Sequence, residues 1–129
     1  TGKTKKLIDS INARAEESNG NVVCIEKGMK LTYDITHKAR LIDEEHYGIS
    51  TYDELYSFIS GVLAGDHDIT DVYVDGTLKM GGKDYESLIH FLDRLSAVVE
   101  EENVNMLLTI SCDESELPEG IHHVAEIVK

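Results

Sequence analysis

Val22-Val23-Cys24-Ile25, set between Asn21 and Glu26, is a short uninterrupted apolar run. A strand with one wet face alternates apolar and polar side chains. Four apolar residues in succession therefore predict a strand covered on both faces, as in a parallel sheet flanked by helices. On the amino side of this run, Leu7, Ile8, Ile11 and Ala15 recur at helical spacing over residues 4–18, with charged and amide side chains on the other face. Asn19-Gly20 supplies the stop between that amphipathic helix and the strand.

On the carboxyl side the pattern is mixed at first. Leu31, Tyr33 and Ile35 alternate and residues 39–42 form a second apolar piece, so two short strands or extended segments are expected between Lys30 and Ile49. Ser50 and Thr51 then open a capping box with Asp53 or Glu54, ahead of Leu55, Phe58, Ile59, Val62 and Leu63 at helical spacing. Ile69 to Asp75 reads as a strand ending at Asp75-Gly76, and residues 80–84 as a loop. A long helix is predicted over residues 84–102, with Leu88, Leu92, Leu95 and Val99 inward and Glu100, Glu101 and Glu102 at its carboxyl end, where the helix dipole disfavours them. Residues 104–112 form another apolar strand, 113–120 an acidic loop with the single proline, and 124–128 a last strand.

Strands alternating with helices over short connections predict an α/β fold. The expected form is a three-layer sandwich with a mainly parallel sheet and helices on both faces, built as one domain over residues 1–129. In such sheets, ligands gather at the carboxyl ends of the strands. No run approaches the roughly 18 apolar residues of a membrane span, and Thr1 to Lys6 is too short and basic for a leader. Cys24 and Cys112 lie in apolar runs as buried thiols, which fits a cytoplasmic setting with no membrane partner.

A formal charge of −13 argues against duplex nucleic acid as a direct partner. Against that background Lys3, Lys5 and Lys6 are a local concentration of positive charge, which points to a confined anion site. Thr1-Gly2-Lys3-Thr4 leads directly into a helix and matches the last four positions of G-x-x-x-x-G-K-[ST]. The unpaired N–H groups of a helix amino end favour a phosphate, Gly2 lets the backbone approach, Lys3 adds a mobile charge and Thr4 offers a hydroxyl to magnesium. Asp75 places a carboxylate at the carboxyl end of a later strand, where it serves either as turn chemistry with Gly76 or as a magnesium partner.

The order of these pieces resembles a RecA-like P-loop ATPase core, and is similar to small bacterial proteins described as ATP-binding or twitching-motility-like. The pieces are the Gly2-Lys3-Thr4 helix, the strand at residues 22–26, the helix at 50–63, the strand ending Val72-Tyr73-Val74-Asp75 and the strand at 106–111. The resemblance implies ATP and magnesium as ligands, Lys3 as the phosphate lysine, Thr4 as the magnesium hydroxyl, Asp75 as the Walker B carboxylate and Ser111 as a sensor-like polar group. It departs from the family pattern in two ways. The first glycine of the motif and the strand before it fall upstream of Thr1, and no glutamate follows Asp75, where Gly76, Thr77 and Leu78 stand. Some family members polarise water from the end of the second strand, a position that corresponds to Glu26. Binding is accordingly better supported than hydrolysis, which makes a weak ATPase the upper expectation.

The alternative is a non-enzymatic interaction module that keeps the fold and uses its acidic surface to hold a basic protein or another copy of itself. Asp43-Glu44-Glu45-His46 reads as a solvated acidic loop in preference to a metal cluster, since zinc needs three or four converging ligands. There is no G-x-S-x-G elbow and no C-x-x-C pair, so no covalent nucleophile is indicated.

Overall fold

In the computed structural model the described residues are 2–28, 34–76 and 84–109. Helix α1 (Gly2–Glu17) leads through a three-residue turn into strand β1 (Asn21–Glu26). Strand β2 (Ala39–Asp43), helix α2 (Tyr52–Gly65), strand β3 (Ile69–Val74), helix α3 (Tyr85–Glu102) and strand β4 (Asn105–Leu108) follow. The four strands form one all-parallel sheet in the order β2-β1-β3-β4.

The uninterrupted apolar run is covered on both faces, as its composition requires. Val23 and Ile25 join Ile42, Val72, Val74 and Leu108 under α2 and α3. Val22 and Cys24 join Ala39 and Tyr73 under Leu7, Ile11 and Ala15 of α1. Among the described residues, helices thus lie on both faces of the sheet, two on one side and one on the other.

The helix ends are set by local chemistry. Thr51 caps α2 by accepting from the backbone N–H of Glu54, while the Glu54 carboxylate takes both the backbone N–H and hydroxyl of Ser50. That reciprocal exchange is the capping box expected from the sequence, and it holds the Glu54 carboxyl below its usual range. Asp84 caps α3 by accepting from Glu86 and Ser87, and Asn103 ends the helix in the left-handed conformation that Asn tolerates best after Gly. Glu100, Glu101 and Glu102 remain at that end with no basic residue in the last turn.

One expectation is corrected. Asp34, Ile35 and Thr36 are not part of a strand, because Asn12 of α1 draws them into a turn. Its side-chain amide donates to the Asp34 carbonyl at 2.9 Å and its oxygen accepts from Thr36 N–H at 2.8 Å, which seats Ile35 under α1. Of the strand expected over 104–112, residues 105–108 form regular strand, and 110–112 lie outside the described residues. Residues 110–129, including Cys112 and the expected last strand, lie outside the described residues, as do 29–33 and 77–83. Among the described residues no helix is long and apolar enough to cross a membrane.

The turn between α1 and β1 depends on Gly20, because a β-carbon there would run into the backbone carbonyl of Asp68. Gly61, in the middle of α2, faces open space. In urea unfolding, Gly20→Ala is expected to lose about 2 kcal/mol or more through this collision. Gly61→Ala is expected to gain about 0.5–1 kcal/mol from helix propensity.

Candidate functional site at the carboxyl rim

In an all-parallel sheet the carboxyl ends of all strands share one rim. Which end of α1 lies there follows from its contacts along β3. Ser18 hydrogen-bonds Thr70, Arg14 grips Asp71, and the Ser10 hydroxyl meets the Tyr73 hydroxyl at 3.2 Å. Helix numbers fall as strand numbers rise, so α1 runs antiparallel to β3. Its first turn, with the backbone of Gly2, Lys3 and Thr4, continues past Tyr73 toward the rim where β3 ends.

Arg14 fixes this alignment. Asp71 is 4% exposed, and its carboxylate receives Nε and Nη2 of Arg14 at 3.0 Å each, with Thr70 donating a third hydrogen bond at 2.7 Å. Hydrogen bonding and charge attraction from Asp71 together push the Arg14 guanidinium above its ordinary value. A bidentate fork of this kind fixes orientation as well as proximity.

The strand register arranges the rim. Cys24 pairs with Leu41 on one side and Tyr73 on the other, and Tyr73 pairs with Leu107, all four lying toward α1. Side chains alternate along a strand, so two residues further on Asp43, Glu26, Asp75 and Thr109 form the next row on the same face. Adjacent members of that row sit about 4.8 Å apart along the sheet. Glu26 is the last residue of β1 and is 1% exposed. Burial, and after it the negative charge of Glu26 and of Asp75, push the Cys24 thiol up, so both carboxylates are close enough to act on it.

Asp75 directly follows β3, and its backbone N–H donates to the Ile25 carbonyl at 2.9 Å, which extends the β1–β3 pairing by one residue. Thr109 locks its side chain. The Thr109 hydroxyl donates to Asp75 Oδ1 at 2.6 Å and accepts from the Gly76 N–H at 2.8 Å. The turn-forming role of Asp75-Gly76 is present, since Gly76 has a φ of 73°.

Of the residues singled out from sequence, Gly2, Lys3 and Thr4 open α1, while Glu26 and Asp75 stand side by side on the rim it approaches. Ser111, expected as a sensor-like group, lies outside the described residues. The residue that meets Asp75 from β4 is Thr109, which sequence reasoning passed over. Its polar side chain directly after the apolar run of β4 was the available signal. Glu44 corrects the expectation of a solvated acidic loop, being only 1% exposed. Among the described residues no group of three His, Cys, Asp or Glu side chains is arranged to hold a metal ion.

Thr109→Val keeps the shape of the side chain but removes both hydrogen bonds, leaving the Gly76 N–H unpaired in a buried position. It is expected to destabilise the chain by about 1–3 kcal/mol in urea unfolding, and Thr109→Ser by clearly less.

Comparison with family models, with curated proteins and with solved structures yields no match for this chain.

Proposed function

We propose that this chain binds a nucleoside triphosphate, ATP in the first instance, together with magnesium, at the carboxyl rim between the first turn of α1 and Asp75. The observation that carries this reading is the antiparallel course of α1 along β3, which brings the helix amino end to the rim that Asp75 occupies. Backbone N–H groups at that helix end, the Lys3 ammonium and the helix dipole supply attraction for phosphates. Thr4 and Asp75 are the residues that would hold magnesium, and the metal's contribution is to neutralise phosphate charge.

The topology supports the same reading. Crossovers from β2 to β3 and from β3 to β4 travel one way across the sheet, with their helices on one face. Helix α1 lies on the opposite face. Parallel crossovers are right-handed, so a strand that feeds α1 on its way to β1 belongs on the β4 side of the sheet. Thr109, directly after β4, already holds Asp75.

The reading concerns binding in preference to turnover. Glu26 is the carboxylate nearest Asp75 along the rim, but it is buried and its carbonyl is tied to the Glu44 N–H at 2.9 Å. Glu26 is thus not presented as a base that must meet an attacking water.

Calorimetric titration of magnesium ATP into the full natural chain tests the proposal. Lys3→Ala is expected to weaken binding about tenfold or more, equivalent to about 1.4 kcal/mol. Asp75→Asn is expected to abolish most of the difference between binding with and without magnesium. Equal affinities for the wild type and Lys3→Ala, or no binding by the wild type, overturns it.

A further inference from the structure

We propose that Glu44 is a proton-operated latch on the turn between β2 and α2: the turn stays closed over the neutral carboxyl and opens when the carboxyl loses its proton. Glu44 is 1% exposed, and its Oε2 is buried with no hydrogen-bond partner. An ionised carboxylate with that oxygen buried and undonated is costly, whereas the neutral acid tolerates the position far better.

The backbone of the same residue holds the turn together. Its N–H donates to the Glu26 carbonyl at 2.9 Å, and its carbonyl accepts from Tyr47 N–H at 3.2 Å and Ile49 N–H at 3.1 Å. Moving the side chain out to water therefore acts on three hydrogen bonds at once. Gly48, with φ of 72°, supplies the backbone freedom to re-form the turn.

Burial is the largest influence on this carboxyl and pushes it up to about 7 from an ordinary 4.5. Lys27, which follows β1, pulls it down, while Glu45 and Asp43 push it further up. Lys27 sits 3.9 Å from Glu45, and Asp43 accepts from the Gly28 and Glu45 N–H groups, so none of these groups hydrogen-bonds Oε2. From α2, Asp53 is paired with Arg94 and Glu54 with Ser50. His46 lies edge-on to Tyr47 in the same turn.

The sign follows from proton linkage. An acid whose pKa is higher in the closed state binds more protons closed than open, so closure weakens as pH rises from about 4.5 to 7 and is level above that. The open-to-closed ratio grows up to tenfold per pH unit in that window. Between pH 5 and pH 8 this amounts to roughly 70-fold at most.

Hydrogen exchange of the full chain, read residue by residue and corrected for intrinsic rates, tests the latch against Glu44→Gln, the neutral and near-isosteric variant. In the wild type, protection of the Glu44, Tyr47 and Ile49 amides is expected to fall at least about tenfold from pH 5 to pH 8. The Cys24 and Val74 amides should hold steady, and Glu44→Gln should stay protected at both pH values. Carboxyl-carbon NMR should find the Glu44 midpoint near 7. The proposal is overturned if wild type and Glu44→Gln lose protection equally, if the Cys24 and Val74 amides loosen in parallel, or if the midpoint lies near 4.5. None of these readouts requires a nucleotide, so the latch and the binding site stand or fall separately.

Discussion

Asp71 carries a negative charge into the sheet at 4% exposure, and that placement is tolerable only because Arg14 reaches down from α1 with two parallel N–H bonds. A buried carboxylate without such a partner would lose far more solvation than local packing returns. The pair therefore selects one axial position of the helix on the sheet. Apolar contacts from Leu7, Ile11 and Ala15 supply attraction, but they are non-directional and would accept a helix slid by a turn. With Arg14 on Asp71, Ser10 falls on Tyr73 and Ser18 on Thr70, and the helix amino end is delivered to the rim.

The parts of the fold legible in the sequence were those whose information is local. The apolar run at Val22 to Ile25 announced burial on both faces, and the Ser50-Thr51 box announced the start of α2. Residues 34–36 were not legible, because their conformation is set by hydrogen bonds from Asn12, more than twenty positions away. Strand order was likewise beyond a single sequence, since pairing of β1 with both β2 and β3 is a long-range fact.

The rim shows the same division. Glu26 and Asp75 could be picked out as strand-ending carboxylates, yet their standing side by side came only with the register. Thr109 was overlooked because its partner is 34 positions away. Glu44 was misread because an acidic run looks solvated, and nothing in Asp43-Glu44-Glu45 marks the middle residue as the one turned inward. Burial of one charged residue in a charged run is decided by backbone direction, which composition does not encode.

Helix α3 ends in three consecutive glutamates, with Asn103 as its only terminator and no cation in the last turn. Their charges face the negative pole of the helix within a chain that already carries a formal −13. Dissolved electrolyte shortens the range of this self-repulsion from about 30 Å at 0.01 M to about 8 Å at physiological strength. The folded chain is accordingly braced by its counterions, and dilution of the buffer is itself a mild denaturing stress.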